Sequence, residues 1–561
     1  MYSRWLFFTL ALALAVPARV WADDVQADPS DYKTKFATLS AGDRLLLAGG
    51  DYTEGLRIDG VHGQAGSAIV IEGPASGTPA RFLGRSCCNT IDIADSSYVT
   101  IRNIEFDGQD LAAIDAIKAG GNADQYSHHI TVENCTIRRH DGGGAHQLTV
   151  GISTKIVSWD WVVRDNVIDG AGTGMYFGNS DGTRAFIGGI IEGNLFLSTL
   201  GYNMQIKHQL NRQQSDVPSV PTEPRITIIR HNVFIKSDNA SPSGARPNLL
   251  VSGKPDTGPG SSDHYEIYGN LFYHNHDGEP LFQASGRVHV HDNIFVDGLY
   301  AAIMLAKHHE KEVIDAIIYN NTIYATDRGI GVGMVPTGQA LVAGNAIFSP
   351  TPFSGSTINR TDNITDSVAN ASNYVNNPTT TLGEMDFFPV AGSALHSTTI
   401  AIDFNSINSD IEYDRDFNGT TKDFTFRGAY HGEGANTGWA LSDELKPHEA
   451  GPTQGSDNDA AVADSGTPDG AQAITDADID DANNDAGLSA AGAGGWITAG
   501  NAATAGTGEG AAGTGAPSDQ SPDGGGCGCR IGNNETTSAG GSTLASALAL
   551  LSVLLSRRRR P

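Results

Sequence analysis

The sequence predicts an all-β solenoid, and three observations lead there. First, one short pattern returns between residues 99 and 348, as VTIRNIEF, ITVENCTI, WVVRDNVI, IIEGNLFL, TIIRHNVF, EIYGNLFY, VHVHDNIF, IIYNNTIY and LVAGNAIF. Second, each run is broken near its middle by an asparagine: Asn103, Asn134, Asn166, Asn194, Asn232, Asn270, Asn293, Asn321 and Asn345, spaced 23 to 38 residues apart. Periods of that size mark coils that bury their apolar faces against their neighbours. Third, β-branched and aromatic residues crowd the runs and glycines punctuate them, which sets helical solenoids aside. Stacked coils place strand on strand at roughly 4.8 Å as parallel sheets. An asparagine recurring at one rung can then pass side-chain amide hydrogen bonds from coil to coil.

From about Leu39 to Gly432 the chain resembles the right-handed parallel β-helix proteins of the pectate-lyase-like superfamily. LSAGDRLLLAGGDYTEGLRIDG followed by SAIVIEG looks like their first coils, and DFFPVAGSALHS with DRDFNGTTKDFTFRGAYHG is similar to the segment that often closes them. The resemblance implies the fold class, a single-stranded right-handed parallel β-helix. It leaves the activity open, because that fold hosts lyases, hydrolases, esterases, epimerases and plain surface proteins.

The flanks divide the rest of the 561 residues into four parts: an export signal over 1–22, the β-helix over 23–432, an acidic linker over 433–523 and a sorting segment over 524–561. In MYSRWLFFTLALALAVPARVWADD, Arg4 supplies the positive start, Trp5 to Val16 the apolar run, and Val20 with Ala22 a small-residue cleavage site before Asp23. That run is too short to span a bilayer, and no cysteine follows it to carry a lipid. Pro447 to Cys529 holds no Lys or Arg and reads as a flexible, self-repelling stalk. Its DADIDDANND lacks the Gly and Glu that a calcium loop wants, so linker is the expected reading. The chain ends in GGGCGCR, an apolar LASALALLSVLL and RRRR, which looks like the C-terminal signal of exported myxobacterial proteins. That resemblance implies processing near Cys527 and Cys529 by sorting machinery and retention at the cell surface. A zinc site on those two thiols would lack its usual partners.

Composition narrows the function. The net charge is −28, with 64 acidic against 36 basic residues, so no basic stripe serves nucleic acid. Five cysteines are too few for a disulfide framework, and Cys87 or Cys88 pairing with Cys135 stays open. A monomer is expected.

Function belongs where the insertions are longest, between Asn194, Asn232 and Asn270, at 38 residues each. There the charge is anomalous: Lys207, Arg212, Arg225, Arg230, Lys236, Arg246 and Lys254 face only Asp216, Glu223 and Asp238. A surplus of four positive charges inside an acidic protein steers an anionic ligand, and acidic polysaccharide suits an exported β-helix. Aligning TGMYFGNSDG, YNMQIKHQ and PNLLVSGK with Phe177, Ile206 and Val251 inward turns Tyr176, Gln205, Lys207 and Ser252 outward. Elimination on a uronate needs a cation at the carboxylate, a base for the neighbouring C–H and an acid for the leaving oxygen. Lys, Arg and Tyr perform such roles in β-helix lyases. Lys207 is the candidate base, Arg246 or Arg230 the carboxylate clamp, and Tyr176 or His208 the proton partner, with Gln205, Arg164, Glu192 and Lys254 as candidate substrate contacts. Two bland readings compete: Lys207 and His208 as a solvated rim, and Arg164–Glu192–Arg230 as a charge ladder between coils, continued by Tyr268 and His291.

Other activities leave no trace. The Gly-His-Gly and Arg-Ile-Lys motifs and the clustered carboxylates of polygalacturonase-like hydrolases are missing, as is the Asp-Pro-His of alginate epimerases. GDYTE matches one pectin methylesterase pattern without the rest of that site. His289 and His291 alternate on one strand, with His274, His276, His308 and His309 on nearby coils, but no third ligand is placed, so surface histidine is the expectation. A calcium ion bridging substrate carboxylates, as in many pectate and alginate lyases, is what the resemblance implies, with no ligands to assign. The reading is an exported polysaccharide lyase acting on an anionic polymer; the alternative is a non-catalytic surface protein that binds matrix polysaccharide or acts as a spacer.

Overall fold

The computed structural model describes residues 22–447 except 113, 147, 213, 240, 243, 277 and 404–411. Residues 1–21, where an export signal is expected, the stretch expected as a stalk with DADIDDANND, and Cys527 and Cys529 lie outside the described residues.

Each coil gives one strand in turn to three parallel sheets of 13, 12 and 11 strands. A representative coil runs Val157–Arg164 in the first sheet, Val167–Ala171 in the second and Thr173–Phe177 in the third; the next runs Phe186–Glu192, Leu195–Leu197 and Met204–Ile206. Period-2 alternation fixes which residues turn inward. Because coils pair in register, like stacks on like: Phe196, Phe234, Phe272 and Phe295 form a column inside the second sheet with ring centroids 4.9, 4.8 and 4.6 Å apart. The short helix Tyr32–Phe36 closes the first coils, with Tyr32 edge-on to Tyr52 and Phe82. Among the described residues no helix is long and apolar enough to cross a membrane.

The asparagine ladder stands at the corner between the first and second sheets. From Asn166 through Asn194, Asn232, Asn270, Asn293, Asn321 and Asn345 to Asn363, each side-chain Nδ2 donates to the Oδ1 of the next coil at 2.9–3.0 Å. Asn103 and Asn134 are not rungs. They precede the rung by one residue and occupy the left-handed turn, at φ 57° and 53°, where later coils carry Asp165, Gly193, His231 and Gly269. Their rung positions hold Ile104 and Cys135, in line with Asn166. The cause is one residue of register: R-N-I and E-N-C place the asparagine at the turn, whereas R-D-N-V and E-G-N-L place it inside. Asn363, in RTDNITD, extends the ladder past the residues the repeat pattern marked.

Cys135 therefore sits in the interior as a thiol hydrogen-bonded to the Glu133 carbonyl at 3.4 Å, pushed up to about 12 by burial, and it bridges to neither Cys87 nor Cys88. The closing segment packs beyond residue 432: Phe387, Phe388, Phe417, Tyr430 and Leu441 cover the outer face of the second sheet at Leu195, Val233, Leu271 and Ile294. Lys446 pins it there, donating to the carbonyls of Gly269 at 3.0 Å and Phe417 at 2.6 Å. The chain thus covers the later coils of the second sheet, while its first coils carry a paired charge row of Asp51, Arg81, Glu105 and Arg138.

Candidate functional site

On the third sheet Met175, Met204 and Leu249 point into the core, and Lys118, Ser153, Tyr176, Gln205, Leu250 and Gln283 form one outward row in register. The ladder continues past the strand ends, through Lys207 N to Phe177 O at 2.9 Å and Ser252 N to Ile206 O at 3.1 Å. That sets Lys207 beside Ser252 on the same outer face. Gly178 is the neighbour on the other side, at φ 85°; a Cβ there would stand 3.3 Å from the Lys207 Cβ, so the missing side chain gives the lysine its room.

Around Lys207 the chain gathers cations, rings and imidazoles. Its Nζ lies 3.1 Å from His309 Nε2 and 5.8 Å from the centre of the Tyr176 ring. Lys155, from the preceding coil, lies 3.3 Å from the same ring centre and donates to the Gly178 carbonyl at 3.3 Å. His208 stacks on His309 with centroids 4.7 Å apart, His309 meets His308 edge-on at 4.3 Å, and His308 Nδ1 is 2.6 Å from Ser252 Oγ. Burial, then the charges around His309 and Lys207, hold His208 down to about 4. His308 is held down to about 3 by burial, with His309, Lys207, His208 and Arg246 adding to it. Both imidazoles are therefore neutral at neutral pH. Asp115, pushed up by burial, accepts from Ser153 Oγ at 2.7 Å and marks the far end of the cluster near Lys118 and Lys155.

Most of the other basic residues of the long insertions are engaged by partners. Arg212 and Asp263 pair with both side chains fully buried, and Arg212 also donates to the Pro221 carbonyl at 2.7 Å. That pair accounts for part of the basic surplus, and the same holds elsewhere. Arg225 faces Asp160 at 3.6 Å, and Arg230 lies against Glu192 at 2.7 Å and Glu412 at 2.8 Å. Lys236 caps the Arg246 carbonyl at 2.7 Å. The acids come from outside the 207–254 window, which is why counting within it overstated the field.

The expected site residues separate accordingly. Lys207, Tyr176, His208 and Gln205 share the third-sheet face, and Arg246, whose guanidinium is close enough to depress His308, borders it. Arg230 does not: it stands on the first sheet, with Arg164 and Glu192. There Glu72, Arg102, Glu133, Arg164, Glu192 and Arg230 are successive partners in register, so the ladder reading describes all three. Lys254, expected as a substrate contact, lies behind the face. It is 1% exposed, its Nζ lies 3.9 Å over the core ring of Tyr265, and burial brings it down to about 8. Lys155 and the approach of His309 to Lys207 carried no sequence signal, since 102 residues separate the last two. His289 is not a surface histidine: it is buried against Glu266 Oε1, the oxygen that His264 also meets.

No protein-family model and no curated protein matches the chain. Solved structures it resembles include a mannuronic acid specific polysaccharide family 6 lyase from human gut microbiota, 14% identical over 61% of this chain and 82% of that one, with a TM-score of 0.37. A complex of the alginate lyase AlyF-OU02 with G6 is 13% identical over 77% and 97%, with a TM-score of 0.39. The lacto-N-biosidase from Eubacterium ramulus is 11% identical over 62% and 68%, with a TM-score of 0.38. Likeness at these values carries no assignment of activity, and the fold rests on the sheet topology itself.

Proposed function

We propose that the chain is an exported polysaccharide lyase that cleaves an anionic, uronate-containing polysaccharide by β-elimination and is retained at the cell surface by its C-terminal segment. The observation that carries this is the gathering of Lys155, Lys207, Tyr176 and two neutral imidazoles on one outer sheet face, with Arg246 at its border, in a chain of net charge −28. Arg246 neutralises the uronate carboxylate. Lys207, as the amine, takes the proton from the carbon beside it, with His309 Nε2 in reach to share that proton. Tyr176 protonates the leaving oxygen as the C–O bond breaks and the C=C bond forms. Among the described residues the one cluster of three His, Cys or acidic side chains around a common point is on the first sheet, so no step is routed through calcium.

Lys207 is only 2% exposed, with His309 against its Nζ, so this reading requires the turn bearing His308 and His309 to open for a polymer. That burial is also what favours the second reading, a non-catalytic surface protein. The two separate by incubating the exported protein with alginate, pectate and chondroitin, with and without calcium, and following the ultraviolet absorbance of unsaturated products. A signal lost in Lys207→Ala supports the lyase. Binding without any signal supports the surface protein.

A further inference from the structure

We propose that His264, Glu266 and His289 form a site for a divalent transition metal, zinc by preference, on the outer face of the first sheet. His264 and Glu266 lie two apart on the strand His264–Tyr268, whose alternate residues Tyr265 and Ile267 fill the core, and His289 stands directly opposite Glu266 on the next coil. The solenoid register thus delivers two imidazoles to one carboxylate from adjacent coils. Glu266 Oε1 is 3.0 Å from His264 Nε2 and 2.8 Å from His289 Nδ1, and all three ligand atoms lie within 4.8 Å of one another. Around a tetrahedral zinc, with ligands at about 2.0–2.2 Å, neighbouring donor atoms sit roughly 3.3 Å apart. Side-chain rotations of a few tenths of an ångström would admit the ion.

A hydrogen-bonded network alone leaves an orphan. Glu266 is fully buried, both imidazoles converge on one of its oxygens, and Oε2 has no hydrogen-bond partner among the described residues. An unpartnered buried carboxylate oxygen has given up its hydration with nothing in return, which is costly. A cation at the meeting point of the three groups compensates the whole carboxylate. The donor set selects its class: two imidazole nitrogens and one oxygen suit zinc and its transition-metal neighbours, while calcium and magnesium want oxygens throughout. Three protein ligands leave a fourth position for water or for a group from outside. His291, on the same strand and face, is engaged elsewhere, at 2.7 Å from Asp292 and stacked between Tyr268 and Tyr319.

The test is zinc binding by the full chain carrying Cys527→Ser and Cys529→Ser, so that tail thiols do not contribute. After chelator treatment, titration calorimetry with zinc should give one equivalent, and cobalt should give visible d–d bands of a nitrogen- and oxygen-ligated ion. Glu266→Gln, which keeps shape, should weaken binding at least tenfold and His289→Ala about a hundredfold, while the exposed His146→Ala leaves it unchanged. Should His289→Ala fail to fold, as read by circular dichroism, Glu266→Gln alone decides. Less than one equivalent in the parent protein, or unchanged affinity in Glu266→Gln, overturns the site.

Discussion

The outer face of the first sheet and the Lys155–Lys207 region of the third are built on the same coil spacing yet treat charge in opposite ways. On the first, sign alternates from coil to coil: Arg102 meets Glu72 at 2.8 Å, Arg164 meets Glu133 at 2.6 Å and Arg230 meets Glu192 at 2.7 Å. Beyond Arg230 the same row turns to stacked rings, Tyr268 on His291 on Tyr319 at 4.8 and 4.7 Å. On the third, lysines from two coils close on one phenol ring, with three histidines around them. A row of alternating sign neutralises itself and presents little field outward. A face that collects one sign keeps its field for an anion arriving from solution. The difference teaches that arginine content alone does not locate a site; the register of the opposing charge does.

The contrast can be broken most sharply at Lys207. Lys207→Ala should lower the rate of unsaturated-product formation by about 10²–10⁴-fold, the range for removal of a positioned acid–base group. Arg164→Ala, on the other face, should leave that rate unchanged. Next comes the ladder: Asn232→Ala removes the acceptor of the Asn194 backbone N–H and breaks the side-chain bonds to Asn194 and Asn270, and should cost about 2–4 kcal/mol in denaturant unfolding, at roughly 1–3 kcal/mol per buried group left without its partner. Asn134→Gly, at a left-handed turn outside the ladder, should cost under about 0.5 kcal/mol, because glycine accepts that backbone freely.

Acid should then unfold the protein through its buried histidines. His140, His208 and His231 are held down to about 4 by burial and His308 to about 3, below the ordinary 6.5, so the unfolded chain takes up protons first. Their stabilising effect is present above about pH 6.5 and is lost as pH falls through about 4. A melting temperature that stays flat across that window would contradict these assignments. Lys254→Met should act in the opposite direction, raising stability by about 1–3 kcal/mol, since it removes a buried ammonium and keeps the volume over Tyr265. The smallest effect belongs to Arg164→Ala, under about 1 kcal/mol, as for other half-exposed ion pairs.

How far residues alone led can be judged from these positions. Period and alternation sufficed for the solenoid and for turning Tyr176, Gln205 and Lys207 to one side, because both are local properties of a strand. They failed at Asn103 and Asn134, where the same residue type satisfies two different needs one position apart: a rung wants its amide and a left-handed turn tolerates its backbone. Whatever depends on distant coils stayed hidden. The pairing of Arg212 with Asp263, of Arg230 with Glu412 and of Lys207 with His309 joins residues 51, 182 and 102 apart. The Glu266 site required knowing that His289, rather than His291, falls opposite the carboxylate.

The asparagine ladder has a direction. From Asn166 to Asn345 each Nδ2 donates one hydrogen to the Oδ1 of the next, C-terminal coil, so the side-chain amides line up head to tail and reinforce one another. Each coil thus presents the same socket above and the same plug below, whatever the length of its loops. The natural unit of insertion or loss in this architecture is one whole turn, rung to rung: excising Asn232 through Gly269 would bring Asn270 to Asn194 with the polarity intact, whereas removing a fragment of that turn would leave two ends that do not mate.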